Sequence, residues 1–214
     1  MKLYAHPFSS YSQKVLISLY ENATPFDYCS LEDPSANAEL EAHWPLKRFP
    51  VLVDQSLTIL ESSSIIEHLQ IHHPGPVQLI ADGDAGVEVR MLDRVFDNYV
   101  MAPMQKIVFD QLRAAPDRDS YGVTEARGVL DRIYAWLDER LASRIWAVGS
   151  AFTLADCAAA PSLFYADWAH RVPPTYANLR AYRARLLARP SVARAVDEAR
   201  PYRSYFPLGA PDHD

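Results

Sequence analysis

An α/β domain carrying a mixed four-stranded sheet, followed by an all-helical (all-α) domain, is the fold class this sequence predicts. Three observations carry the prediction. Short strand-like runs alternate with helical patterns up to about residue 76; that rhythm stops beyond Pro76; from there on, apolar residues recur only at helical spacing. With 214 residues the chain is long enough for one large domain or two small ones, each with its own core.

Lys2–Ala5 reads as the first strand, and Val15, Leu16, Leu19 and Tyr20 as the apolar stripe of the helix after it. Phe26–Leu31 alternates as a second strand. An irregular stretch follows, and Val51–Val53 and Leu57–Leu60 then make a hairpin around Asp54-Gln55-Ser56. Ser62 or Ser63 caps a helix with the stripe Ile65, Ile66 and Leu69, which Pro74-Gly75 closes. Residues 77–84 form the linker, which gives domain spans of 1–76 and 85–214. In the second span a long helix is expected from about Asp84 to Leu112, bent near Pro103. Another follows Val129, Ile133, Trp136, Leu137 and Leu141. Thr153-Leu154-Ala155-Asp156 has the form of a capping box, with Phe152 and Cys157 placed as a hydrophobic staple. Further helices read at Tyr176–Ala188 and Ser191–Glu198.

Composition narrows the function classes. Hydrophobic residues make up 49% and charged residues 22%, which is globular rather than disordered. No run approaches the roughly 18 apolar residues of a membrane span, and Lys2-Leu3-Tyr4-Ala5 does not open a signal peptide, so a cytoplasmic protein is expected. A net charge of −6 argues against nucleic acid as a partner. Residues 127–203 hold twelve Arg against seven Asp or Glu, and the spacing of Arg180, Arg183 and Arg185 predicts a solvated helix face. Cys29 and Cys157 lie far apart and fit no metal-ligand spacing, so two buried, reduced thiols and no metal are expected.

Chemistry concentrates in three short segments. Ser9, Ser10 and Ser12 of Phe8-Ser9-Ser10-Tyr11-Ser12-Gln13-Lys14 stand where a helix opens, and capping is their plain role. The absence of a glycine-rich phosphate sequence argues against a nucleotide cradle, and nothing in the spacing recommends His6 or His43 as the base of a serine hydrolase. In Arg48-Phe49-Pro50-Val51 the proline marks the start of a strand. A cis bond there, a state of about 5–6% of X–Pro bonds, would turn the Phe49 N–H and C=O outward to pair with an extended peptide. Glu61-Ser62 is either a cap with an acidic neighbour or a ligand site. In the second case the helix N-terminus receives a carboxylate and Glu61 an ammonium group.

Phe49-Pro50-Val51-Leu52-Val53, Glu61-Ser62 and Phe152-Thr153-Leu154-Ala155-Asp156, in that order and spacing, make the chain resemble a cytosolic glutathione S-transferase over nearly its whole length. The likeness is to bacterial, serine-type members similar to the theta and zeta classes. It implies a thioredoxin-like N-terminal domain and a cis Phe49–Pro50 bond. It also implies that glutathione is the co-substrate, with Glu61 and Ser62 holding its γ-glutamyl end, Phe49 main-chain atoms pairing with its cysteinyl residue, and Arg48 reaching its glycyl carboxylate. Lys47 falls where the family commonly has glycine. Ser9 takes the place of the catalytic hydroxyl, with Ser10 second, while Tyr4 and His6 fall close to the tyrosine of tyrosine-type relatives. A small hydrophobic electrophile is expected between the domains, lined by Phe8, Tyr99, Met101 and Met104. A homodimer is implied, and no metal. The alternatives are a glutathione-dependent isomerase, dehalogenase or peroxidase, and a non-catalytic transferase-like binding module.

Overall fold

The computed structural model describes all 214 residues. Four strands, β1 (Lys2–Ala5), β2 (Asp27–Ser30), β3 (Val51–Asp54) and β4 (Leu57–Ile59), form one mixed sheet in the order β2-β1-β3-β4. β1 and β2 run parallel, joined through helix α1 (Ser10–Glu21), while β3 is antiparallel to both β1 and β4. Strand alternation divides the side chains of β1 between two packing environments. Leu3 and Ala5 join the main core, whereas Tyr4 packs with Val51, Ala36 and Leu40 on the other face.

Ala36 and Leu40 belong to α2 (Pro34–His43), which corrects the irregular stretch expected between β2 and β3. Its start was written in the sequence, with Asp33 as N-cap accepting from the Ser35 N–H and Pro34 in the first turn. Its apolar face comprises only Ala36 and Leu40, too little for a periodicity reading. α3 (Ser62–His72) completes the first half, packing against α1 and the β3–β4 hairpin.

The connection to the helical half is held by two amide side chains. Asn22 pairs with both backbone groups of Val77, at 2.8 and 3.1 Å, and Gln70 with both of Ile80, at 2.7 and 2.8 Å. Gly75 passes so close to Asn22 that a Cβ there would come within 2.5 Å of it.

The helical half comprises α4 (Gly83–Val95), α5 (Ala102–Gln111), α6 (Ser120–Leu141), α7 (Leu154–Ala169), α8 (Ala177–Leu187) and α9 (Pro190–Ala199). Between α4 and α5 the chain makes a π-helical turn, Phe96–Met101, which ends two residues before Pro103. Proline lacks the N–H that would bond back along the helix and its ring crowds the carbonyl four residues earlier, so the irregular turn falls where the bend was expected. One contiguous cluster of 46 buried residues runs through both halves, so they share a core rather than each having its own. α1 lies at its centre, against α3 and α7, and is buried on nearly every side.

The capping box at α7 does more than start a helix. Asp156, fully buried, accepts from the Thr153 N–H (2.9 Å) and hydroxyl (3.0 Å), the Ala147 N–H (2.8 Å) and the Tyr182 hydroxyl (2.6 Å). It thus ties the loop before α7 to α8.

The arginines of the second half are mostly paired rather than arrayed on a solvated face. Arg189 grips Glu21 of α1 through two bonds, and Arg183, only 12% exposed, turns inward toward Asp167 and the Leu163 carbonyl. Cys157 is buried and Cys29 half-buried on the edge strand, and both are free thiols. No helix is long and apolar enough to cross a membrane.

Candidate functional site

A cleft of about 840 Å³ opens where the first strand–helix loop, the loop before β3, the start of α3 and the helical half meet. It brings together Phe8, Ser9, Ser10, Arg48, Phe49, Pro50, Glu61, Ser62 and Met104 of the residues singled out in the sequence. Two expected lining residues lie elsewhere. Met101 is fully buried in the core, and Tyr99 is half-exposed and does not line the cleft. Both sit in the π-helical turn, whose wider winding rotates side chains off the faces that a regular α-helix assigns them.

Ser9 is the N-cap of α1, and its Oγ accepts from the Ser12 N–H at 3.3 Å. Neither Ser9 nor Ser10 donates its hydroxyl proton within the chain, so both are free to donate into the cleft. Ser12 is different. It is fully buried, and its Oγ receives the His6 N–H at 3.4 Å, below the floor. The loop itself is fastened from α7, where the Tyr165 hydroxyl donates to the Phe8 carbonyl at 2.9 Å and Gln13 donates to Tyr165 at 3.0 Å. Tyr4 and His6 do not line the cleft. The Tyr4 hydroxyl bonds Glu39, and His6 pairs with Glu32 at 2.9 Å.

The Phe49–Pro50 bond is cis. Phe49 precedes β3, takes no part in the loop backbone hydrogen bonds and faces the cleft. Upstream, Lys47 adopts φ +52°, which explains why glycine suits this position. Here the left-handed turn is held with a lysine, through the Lys47 N–H to the Trp44 carbonyl (2.9 Å) and the exposed pair Lys47–Glu41 (2.6 Å).

Glu61 also has positive φ, +64°, and caps α3 without a side-chain bond, leaving its carboxylate free. Ser62 follows as the first residue of α3, whose unpaired N–H groups and positive end point to the same place. Behind it lies a buried charge cluster joining α1, α3 and α4. Lys14, with no exposure, meets Asp93 at 2.5 Å, Asp97 at 2.8 Å and the Ser63 hydroxyl at 2.9 Å. Arg94 closes the cluster at 2.7 Å from Asp93 and 3.1 Å from Asp97. Burial pushes the Asp97 carboxyl above the usual range, against the lowering pull of Lys14.

Sequence reasoning missed Tyr11, Arg94 and Asp97, and Tyr205-Phe206-Pro207 near the end of the chain, which all line the cleft. Burial, with Asp97 and Glu61 nearby, raises Tyr11 to about 12, so it stays a neutral phenol and an alternative hydroxyl donor. Only Tyr11 had a sequence signal, its place inside the serine loop. The others reach the site through tertiary packing. Cleft chemistry is therefore that of hydroxyls, a helix N-terminus, free peptide groups and carboxylates. The grouping of metal-ligating side chains, Asp54, His68 and His73, lies outside it.

Comparison with known proteins agrees with this arrangement. Residues 3–77 match the glutathione S-transferase N-terminal domain and residues 111–185 the glutathione S-transferase C-terminal domain. The chain belongs to the glutathione S-transferase family. Among solved structures it is similar to a glutathione S-transferase from Methylobacillus flagellatus KT with glutathione bound. The TM-score is 0.81 at 25% identity, covering 91% of this chain and 98% of that one. Two curated relatives carry names of another kind. FtsZ-localized protein A of Caulobacter vibrioides is 30% identical over 80% of this chain and 79% of its own length. The stringent starvation protein A homolog of Coxiella burnetii is 25% identical over 93% of this chain and 92% of its own length.

Proposed function

We propose that the chain is a glutathione transferase that binds glutathione in this cleft and activates its thiol for attack on a small hydrophobic electrophile. The observation that carries this reading is the convergence on one cleft of the Ser9 and Ser10 hydroxyls, the unpaired peptide groups of Phe49 and the N-terminus of α3 beside Glu61. Phe49 would pair with the cysteinyl residue in β fashion and so fix the sulfur. The γ-glutamyl carboxylate would meet Ser62 and the helix N-terminus, and its ammonium Glu61. Arg48, exposed at the rim, would take the glycyl carboxylate.

With the peptide so held, the sulfur faces the first loop. A free thiol has a pKa of about 8.5, and each unit of lowering takes about 1.36 kcal/mol of preferential stabilisation of the thiolate. One charge-assisted hydrogen bond from Ser9, helped by the N-terminus of α1, is of that order. Ser9 is suited to donate because its acceptor side already holds the Ser12 N–H. The thiolate forms the new carbon–sulfur bond, and the leaving group departs with the electron pair of the bond it loses. Phe8, Met104, Val108, Phe109 and Phe206 supply the apolar wall for the electrophile. A two-fold dimer in the cytoplasm fits the reading, with Val87 and Met91, exposed one helical turn apart on α4, available to a second copy.

The names of the curated relatives favour a second reading, in which the cleft binds glutathione or an extended peptide without turnover and the protein acts through a partner. Retention on immobilised glutathione followed by conjugation of chlorodinitrobenzene separates the two. Retention with turnover supports the transferase, and retention without turnover of any electrophile supports the binding module. No retention overturns the glutathione site in both.

A further inference from the structure

The sequence gives no metal-ligand spacing among its cysteines, yet the fold assembles three other ligands at the far end of α3. Asp54 closes β3, His68 lies inside α3, and His73 is the C-cap of that helix. The Nε2 atoms of His68 and His73 both approach Asp54 Oδ2, at 3.0 and 2.6 Å, and the three ligand atoms lie within 4.8 Å of one another. We propose that Asp54, His68 and His73 form a binding site for a divalent transition-metal ion of the zinc type, separate from the cleft.

Ligand chemistry, spacing and access carry this. Two imidazoles and one carboxylate are a ligand set that zinc takes with one position left for water. Nitrogen donors favour zinc, cobalt, nickel and copper over magnesium and calcium. Ligand atoms about 2.0–2.2 Å from a tetrahedral ion stand roughly 3.3 Å apart, so the two short pairs need to open by about 0.3 Å for His68 and about 0.7 Å for His73, within reach of side-chain rotation. Access is adequate, because the His73 side chain is 33% exposed while Asp54 and His68 are 12% and 11% exposed. The carbonyl end of α3 lends negative partial charge at the same place. His72, exposed, packs its ring 4.4 Å from that of His68 and adds a further imidazole beside the site.

The ion would clip the β3–β4 hairpin to the last turn of α3. The cleft uses the other end of this helix at Ser62, about 9 Å from His68 and about 16 Å from His73 at 1.5 Å per residue. The site therefore adds stability without touching the glutathione chemistry. Sequence reading could not find it, because the end of a strand supplies one ligand and a helix supplies the other two, fourteen and nineteen residues further on, not a compact spacing.

Equilibrium dialysis of the chelator-stripped full chain against zinc, with metal analysis, tests the proposal. One equivalent should bind with micromolar affinity, magnesium should not displace it, and cobalt in its place should give the visible absorption of a low-coordinate ion. His68→Ala and His73→Gln should each weaken zinc binding at least tenfold while glutathione retention stays as in the parent chain. His73→Gln alters a part-exposed cap and guards against a folding defect at His68, with circular dichroism checking both. Absence of saturable zinc binding overturns the proposal and leaves a hydrogen-bonded cluster. Unchanged stoichiometry and affinity in His68→Ala/His73→Gln overturns it too, by assigning the metal to other side chains.

Discussion

Lys14→Met removes the one fully buried cation beneath the cleft while keeping an unbranched apolar stem of similar length. In the parent chain Lys14 lies 2.5 Å from Asp93 and 2.8 Å from Asp97, both of them buried. After the exchange Arg94 is the cation left in the cluster. Removing one partner of a buried pair costs about 3–5 kcal/mol, and because Arg94 still holds both carboxylates the lower end applies. With an m-value of roughly 2–3 kcal/mol/M for urea, the midpoint should fall by about 1 M near neutral pH. Burial already raises the Asp97 carboxyl, and losing Lys14 raises it further. The cost of burying its charge is present above its folded pKa and is relieved as pH falls through that value. The loss should thus be largest at about pH 7.5 and visibly smaller at about pH 5. Urea titrations of both proteins at the two pH values measure it. A loss under about 1 kcal/mol at neutral pH, or an equal loss at both, refutes the reasoning.

Other exchanges probe the loop and the helical half. Lys47→Gly should leave stability within about 0.5 kcal/mol, because relief of the positive φ offsets the added freedom of the unfolded chain, whereas Lys47→Val should lose at least about 1 kcal/mol; equal effects in chemical denaturation would contradict the assignment. Asp156→Ala should lower stability by about 3 kcal/mol or more by leaving the Ala147 N–H and the Tyr182 hydroxyl buried and unpaired. For a chain of this size that is a Tm drop of about 6–12 °C, and calorimetry showing under about 2 °C would exclude it.

Fold class and element order were legible because they rest on local signals. The alternation of β1, the stripe of α1 and the box at Thr153-Asp156 are written within a few residues each. α2 was missed although Asp33-Pro34 announces it, since a helix that buries two side chains leaves hardly any period. Tyr99 and Met101 were misplaced because a π-helical turn changes the winding that face assignments assume. The cleft's first loop, its proline and its Glu-Ser pair were found as segments. Lys14, Asp93, Asp97 and Arg94 could not be, because a buried charge on an apolar helix declares its partner only once α1 meets α4. The left-handed backbone at Glu61 was equally hidden, since a glutamate rarely marks it, whereas at Lys47 the glycine common in the family pointed to it.

The most direct test is the ionisation of the bound glutathione thiol, followed by the ultraviolet absorbance of its thiolate across pH in the parent chain and in Ser9→Ala. In the parent complex the apparent pKa should fall about one to two units below the free value of about 8.5, and in Ser9→Ala it should return upward by about one unit. A bound thiol that titrates at the free value in the parent chain would contradict thiol activation in this cleft, and a depressed value unchanged in Ser9→Ala would take the role from Ser9.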